Sequence, residues 1–440
     1  MSPFSFHIVW EEAPGVRDPV LARTWGRLSI SLHGKIITKA LDLRANSERD
    51  EVYGSMFPIA EWLVENFWFL TSEIPKSKTL SGRFASRALH PWMLRHNFLS
   101  AGAGAALPDL TLATDGLHAI AAWFADPAEV SERRTIRFVE EGRARLSNYD
   151  VEAGITGFVN SVLARLDKTE YEEVARLQRD WFEVGNSMKS EERLCRRIAQ
   201  LGLDPYGVDD QLLDTLDAAV DFLPASLEND LLNSEDLSGL TASAAYVKQG
   251  AGMLAKYDGV KFQNPSPMAL SGTRAHETGY ELAHAFRKWA GIPHDRGVSD
   301  LNALMHARDV TSATQTLHPS AQTRVKAVIG FSHSHAGLLI TPSAPPTASL
   351  RFLLGRALGA CLLGQCDSGP RLLTDALTWD QAAARAFSAE LLAPQAALAQ
   401  RVRAVMNGDD VQGLARDFNV SELVIAHQIE NHQLATIVPD

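Results

Sequence analysis

Histidines at regular spacing are the residues of this chain whose chemistry is easiest to specify. His276, Tyr280 and His284 are four residues apart, so on a helix all three would lie along one face. The pattern differs from the zinc-binding HExxH motif, because a tyrosine takes the place of the second histidine. His333 and His335 would share one face of a strand, but zinc needs a third deprotonated donor. We therefore predict hydrogen-bonded or exposed histidines, and no metal site, at either place.

A third histidine pair and the common catalytic motifs give no stronger signal. His427 and His432 are five apart on a predicted terminal helix and do not share a face. The chain contains no phosphate-binding P-loop, dinucleotide-binding fingerprint or nucleophile elbow. Local motifs therefore assign no catalytic residue, although the members of a Ser-His-Asp triad need not be neighbours in sequence.

Two apolar stretches must position any site in the last part of the chain. Residues 351–364 read RFLLGRALGACLLG and residues 383–394 read AARAFSAELLAP, which predicts two apolar helices. The second helix should end at Pro394, because proline cannot continue a helix. We expect helices over 351–364 and 381–393 to pack against each other. Five of their side chains should be largely buried: Leu354, Leu358, Leu362, Phe387 and Leu391.

These two stretches resemble the core of the ImmA/IrrE family of zinc metallopeptidase-like proteins. In that family the first helix reads roughly RRFTLAHELGHLLLH and the second reads roughly ExxANxFAAELLMP. The order of predicted elements over 271–440, including the FNVS turn at 418–421, is also similar to the family pattern. The resemblance implies a zincin-like domain. In active members two histidines and an acidic residue hold Zn²⁺, and a glutamate activates the bound water.

The residues at the family's zinc-site positions carry no metal-binding group. They are Arg356 and Ala360 at the histidine positions, Ala357 at the general-base position and Ala383 at the acidic-ligand position. No shift of register restores a ligand, because residues 351–365 contain no histidine, aspartate or glutamate. Arg356 would place a fixed positive charge where the metal sits in the family. We expect its guanidinium to find a carboxylate, backbone carbonyls or solvent, with Asp380 as the candidate partner.

The resemblance also implies a function. Active members of the family cut repressors or partner regulators in stress responses and mobile elements. A degenerate member without zinc, cofactor or catalytic residues would act as a regulatory or protein-interaction module with a protein partner, in stress response, mobile-element control or phage defence. Glu390 matches the glutamate of the family's FAAELLMP motif, and we expect its role to be structural. The alternative is an enzyme whose site lies in residues 1–270 or has been rebuilt around Arg356.

A run of arginines gives a further alternative. Five arginines lie within the stretch 133–145: Arg133, Arg134, Arg137, Arg143 and Arg145. Glu140 and Glu141 interrupt the run, which favours a solvated face. A patch of this kind could also contact a partner or the phosphates of a nucleic acid. In that case the chain would be a subunit of a nucleic-acid-handling defence complex.

Composition limits the class of protein. The chain has 440 residues, of which 45% are hydrophobic and 22% are charged, as expected for a globular protein of several domains. The formal net charge of −11 argues against broad, non-specific nucleic-acid binding, which depends on neutralising phosphates.

Cysteine usage and the lack of targeting signals predict a cytoplasmic location. The three cysteines, Cys195, Cys361 and Cys366, fit a reducing compartment better than a disulfide framework. We expect the last two to be small buried side chains. The N-terminus does not read as a signal peptide, and no run of 18 apolar residues would span a membrane. The resemblance adds that the cytoplasm would be bacterial.

Changes in hydrophobic period predict the order of elements. Residues 4–9 alternate in polarity and predict a strand, whereas 28–43 predict a β-hairpin. Helical spacing over 52–70 predicts an aromatic-rich helix, and a β segment near 110–123 would complete the first sheet. A single strand-like segment is predicted over 324–340.

These elements predict a helix-dominated, multidomain α+β protein. The first domain, over 1–125, would be a small sheet with a covering helix. The second, over 126–265, would be helical. A Gly- and Pro-rich stretch separates it from the degenerate ImmA/IrrE-like peptidase domain over 271–440, which would end in a helical pair.

Overall fold

The chain is a helix-dominated α+β protein with several small sheets, as predicted. The computed structural model describes residues 3–13, 15–76, 90–102, 105–127, 135–167, 170–255, 274–298, 300–301, 313–332, 335–364 and 369–438. Internal contacts divide the chain into two compact units, an N-terminal unit, Met1–Val208, and a C-terminal unit, Asp209–Asp440. The domain boundaries predicted near 125 and 270 each fall inside one of these units.

Three antiparallel sheets form the β part of the N-terminal unit within the described residues. Their strands are β1 Phe4–Trp10, β2 Trp25–Leu32, β3 Lys35–Ile36, β4 Ala40–Asp42, β5 Ser47–Arg49, β6 Val52–Ser55, β7 Asp109–Thr114, β8 Ala119–Phe124, β9 Ile136–Phe138 and β10 Gly142–Leu146. The first sheet has the order β1-β2-β3, with β6 also paired to β2. The second has the order β10-β8-β7 and the third β5-β4-β9. Buried Leu28, Ile30 and Leu32 alternate with more exposed residues along β2, which gives the first sheet one core face.

Seven α-helices complete the described part of the N-terminal unit. They are α1 Pro19–Arg23, α2 Phe57–Glu65, α3 Phe67–Ser72, α4 Pro91–His96, α5 Asn148–Arg165, α6 Glu172–Ser190 and α7 Glu192–Gln200. Helix α5 begins at a capping box in which the side chains of Ser147 and Asp150 bond each other's backbone N–H. Its buried face, which includes Ile155 and Phe158, joins the core of the first sheet.

Strand pairing changes several of the predicted elements in this unit. The predicted helix over 52–70 begins as strand β6, because the helix starts only at Phe57, with Pro58 in its first turn. The predicted hairpin turns at His33 and Gly34, but β4 joins a different sheet. The segment near 110–123 is a hairpin that pairs with β10 in the second sheet, so the prediction that it completes the first sheet is wrong.

Where the structure describes the C-terminal unit, it contains one four-stranded sheet and one small strand pair. Its strands are β11 Ala313–Thr316, β12 Ala327–Ser332, β13 His335–Thr341, β14 Arg371–Leu373, β15 Val405–Met406 and β16 Thr436–Ile437. The sheet order is β11-β13-β12-β14, with β11 parallel to β13 and the other pairs antiparallel. The predicted single strand over 324–340 is therefore two adjacent antiparallel strands. Strands β15 and β16 pair in parallel.

Helices make up most of the described part of the C-terminal unit. They are α8 Asp210–Val220, α9 Ala225–Ser234, α10 Leu237–Leu254, α11 Ala275–Ala290, α12 Thr347–Leu362, α13 Trp379–Leu392, α14 Gln395–Ala399, α15 Gly408–Phe418 and α16 Glu422–Asn431. Helix α11 ends at Gly291 and α15 ends at Asn419, both in the left-handed conformation that closes a helix. One apolar core joins α11, α12, α13, α15 and α16 with the inner face of the sheet. Within the described residues, none of the helices combines the length and apolar composition needed to cross a bilayer.

Candidate functional site

The two predicted apolar helices are α12 and α13, and they pack against each other in the C-terminal unit. A glycine makes the contact close, because a Cβ added to Gly359 would lie 2.7 Å from Cδ1 of Phe387. Four of the five predicted core side chains are buried: Leu354, Leu358, Phe387 and Leu391. The fifth, Leu362, is half-buried in the last turn of α12. The helix-pair prediction is confirmed.

The four positions that the sequence resemblance assigns to the family's zinc site are all interior. Arg356, Ala357 and Ala360 on α12 are each 2% exposed, and Ala383 on α13 is fully buried. Alanine offers no donor atom, so three of the four positions supply neither a metal ligand nor a general base. The backbone carbonyl of Ala383 faces Gly279 of α11, where the two helices touch.

The guanidinium of Arg356 bonds neutral acceptors. Its Nη2 donates to the backbone carbonyl of Thr374 at 2.6 Å and to Oε1 of Gln381 at 2.7 Å. Gln381 is itself held in place, because its amide donates to the carbonyl of Leu372 at 2.7 Å. The prediction that Arg356 finds an acceptor is confirmed, and the acceptors lie on α13 and on the segment that leads into it.

The prediction that Asp380 is the partner of Arg356 is wrong. Asp380 accepts from Arg371 at 3.1 Å, and Arg371 also pairs with buried Asp230 at 2.8 Å. Successive residues on a helix point about 100° apart, so Gln381 rather than Asp380 faces α12. Arg371 and Asp230 instead join β14 to α9.

A buried carboxylate at the end of α13 collects polar groups from α11 and α16. Glu390, whose side chain is 1% exposed, accepts from Nε2 of His284 and from Nε2 of Gln428, each at 2.9 Å. The backbone N–H of Gln395 lies 3.2 Å from both carboxylate oxygens. Nε2 of His432 is 3.5 Å from Oε2 and makes no hydrogen bond with any described residue. One carboxylate therefore ties three helices together.

The electrostatics of this cluster make His284 a proton-binding group. Burial alone would raise the pKa of Glu390, but the donors around it outweigh burial and lower that pKa to about 2. The hydrogen bond to Glu390 raises the pKa of His284 in spite of partial burial. The His284 side chain is 48% exposed, so it can exchange a proton with solvent while the ionised carboxylate holds it.

Aromatic rings surround the same cluster. The ring of Tyr280 packs on that of His432 at 4.6 Å, and the ring of His294 lies 5.3 Å from that of His284. Burial raises the pKa of Tyr280, so its hydroxyl keeps its proton near neutral pH. Across the described ranges, no group of three or more His, Cys, Asp or Glu side chains has the arrangement of a metal site.

Sequence reasoning assigned His284 and Glu390 to unrelated segments and missed their pairing. The two residues are 106 positions apart, so no local motif joins them. The available signal was the glutamate itself, since a carboxylate inside an apolar helical run must have donors when it is buried.

The stability conferred by this pair should depend on pH. Glu390, with a lowered pKa, contributes fully above the ordinary glutamate value of 4.5 and loses this contribution as pH falls through about 2. His284, with a raised pKa, contributes fully below the ordinary histidine value of 6.5 and loses it as pH rises through its folded-state pKa. We expect the difference in Tm between wild type and His284→Gln to be greatest between those two values. Calorimetry across pH tests this, with exposed His318→Gln as control. A difference that is constant with pH would contradict the assignment.

The predicted basic patch is divided between two sheets. Arg137 lies on β9, which pairs with β4, whereas Arg143 and Arg145 lie on β10, which pairs with β8. The prediction of a mostly helical pattern is therefore wrong for residues 135–146. Arg145 also lies 3.7 Å from the carboxylate of Asp115, whose negative charge partly offsets the positive charge of the arginine.

Other predicted residues fall in or outside the described ranges as follows. Cys361 is buried, in line with its predicted role as a small apolar side chain, and Cys195 is buried as well. Five positions have side chains outside the described part of the chain: Arg133, Arg134, His333, His335 and Cys366.

No protein-family model matches the chain, and no curated protein matches it in sequence. The likeness to the ImmA/IrrE family therefore rests on the residues of the helix pair α12–α13 and on the order of the elements around it.

Proposed function

We propose that the C-terminal unit is a catalytically inactive ImmA/IrrE-like domain and that the protein is a cytoplasmic regulatory module that binds a protein partner. Its setting would be stress response, mobile-element control or phage defence. In this proposal the domain keeps the scaffold of a zinc peptidase and uses its surface for recognition.

The observation that carries the proposal is the interior of the helix pair α12–α13. Arg356 fills the first histidine position with a buried guanidinium bonded to Thr374 and Gln381. Buried alanines occupy the other three positions. A zinc peptidase needs an acidified water and a base at this place, and these side chains supply neither. Recognition without cleavage is then the activity that such a scaffold can retain.

The test is a measurement of metal, cleavage and partner on one preparation of the full chain purified without a His tag. We expect no stoichiometric zinc by elemental analysis and no chelator-sensitive cleavage of protein or peptide substrates, with an active zinc peptidase as the assay control. We also expect one protein to co-purify in stoichiometric amount from the native host, and not with an unrelated acidic bait.

One zinc per chain, or cleavage that a chelator abolishes, would overturn the inactive-peptidase part of the proposal. The absence of any stoichiometric partner across growth and stress conditions would overturn the interaction part. Binding to nucleic acid with a steep salt dependence would instead favour the arginine-patch alternative.

A further inference from the structure

Two positively charged side chains meet at one backbone carbonyl beside the helix pair α12–α13. Nη2 of Arg356 donates to Thr374 O at 2.6 Å, and Nη1 of Arg385 lies 3.4 Å from the same oxygen. Arg385 also donates to Ala376 O at 3.0 Å. Arg356 is 2% exposed, whereas Arg385 is half-buried. Two guanidinium groups that share an oxygen are close enough for their charges to repel each other.

Neither charge has a carboxylate partner among the residues that the structure describes. Their acceptors are two backbone carbonyls and the amide oxygen of Gln381, all of them neutral. The carboxylate of Asp375 attracts both arginines electrostatically without bonding either of them. Its side chain is 69% exposed and forms an ion pair with Lys326 at 2.9 Å. Asp380 pairs with Arg371. The two adjacent positive charges are thus hydrogen-bonded to neutral groups only.

This arrangement is unfavourable unless a counter-charge is present. Burial and the neighbouring Arg385 lower the pKa of Arg356 to about 9, and burial lowers the pKa of Arg385 to about 10. Both values lie above neutral pH, so both groups stay charged in the folded protein. In addition, Nε of Arg356 is buried without a hydrogen-bond partner among the described residues. A buried charge of this kind is costly unless an anion compensates it.

We propose that Arg356 and Arg385 form an oxyanion-binding site that takes a phosphate group. Guanidinium groups match the oxygens of a phosphate with paired N–H donors, and two of them match its double negative charge. Half-buried Arg385 would meet the anion from the solvent side, and Arg356 would add its positive charge from the interior. The site goes beyond the proposed regulatory function and does not depend on it, because it needs neither a peptidase ancestry nor a protein partner.

The test is a calorimetric titration of the full chain with inorganic phosphate at neutral pH, with chloride holding the ionic strength constant. We expect saturable binding of one phosphate per chain. Arg385→Gln should weaken it by at least about tenfold, since a charge-assisted hydrogen bond contributes about 1.5–3 kcal/mol. The matched control is Arg403→Gln, because Arg403 is 73% exposed and pairs with Asp410. The affinity of this variant for phosphate should equal that of wild type.

Folding of each variant is checked by circular dichroism. Arg385→Lys gives a second test if the glutamine variant does not fold, because it keeps the charge and loses the planar fork, and its affinity should fall below that of wild type. No saturable binding to wild type would overturn the site. Equal affinity in wild type and in a folded Arg385 variant would overturn it as well. Neither result affects the proposed function, which is judged by zinc, cleavage and partner.

Discussion

Replacing Glu390 by alanine should lower the free energy of unfolding of the C-terminal unit by about 1–3 kcal/mol, the cost of leaving a buried donor such as the Gln428 amide without its acceptor. The change removes the common acceptor of His284, Gln428 and the backbone N–H of Gln395. The side-chain amide of Gln428 is buried and would keep its hydrogen bond to the carbonyl of Ala393 only. The half-exposed ring of His284 and the backbone N–H of Gln395 would lose the same acceptor. Urea denaturation followed by circular dichroism measures the effect.

A matched control is available on α16. Glu430 is exposed, and its replacement by alanine should change the free energy of unfolding by no more than about 0.5 kcal/mol. Glu390→Gln keeps one acceptor oxygen, so its free energy of unfolding should lie between those of Glu390→Ala and Glu430→Ala. If Glu390→Ala were as stable as Glu430→Ala, the carboxylate would not be the tie between α11, α13 and α16 that its geometry indicates.

The helix pair α12–α13 shows which parts of a site can be predicted from sequence. Helical period is a local property, so the spacing of Leu354 and Leu358 predicts both the helix and its buried face. The chemistry of a guanidinium is also local, and it predicts that buried Arg356 must have acceptors. The identity of those acceptors depends on tertiary packing, which selects Gln381 and a backbone carbonyl and leaves Asp380 to Arg371.

The remaining features depend on contacts between distant segments. Glu390 and His284 meet because α11 and α13 pack side by side, and a single sequence gives no sign of which residues such packing aligns. The short segments β9 and β10 become strands because β4 and β8 offer them partners, which outweighs the weak local preference that favoured helix. Arg356 and Arg385 likewise meet at the carbonyl of Thr374 only because tertiary packing brings their segments together.

Replacing Gly279 by alanine should destabilise the C-terminal unit by about 3 kcal/mol, at the upper end of the range for overpacking a core. A Cβ at this position of α11 would lie 2.7 Å from Cβ of Ala386 and 2.8 Å from the backbone nitrogen of Phe387, and closer still to the carbonyl of Ala383. Real Cβ atoms essentially never come within 3.0 Å of a neighbour, and two of these neighbours are backbone atoms of α13 that cannot rotate away. The helices must therefore separate, which loosens the contact that also aligns His284 with Glu390.

The same substitution in an open position of the same unit isolates this effect. Gly413 lies inside α15 with no atom within 4 Å of the added Cβ, so Gly413→Ala should stabilise the protein by about 0.5–1 kcal/mol through helix propensity. If α11 and α13 are in close contact at Gly279, urea denaturation should show a lower free energy of unfolding for Gly279→Ala and a higher one for Gly413→Ala, each relative to wild type. A Gly279→Ala variant as stable as Gly413→Ala would contradict this close contact, because it would show that α11 and α13 leave room for a methyl group at position 279.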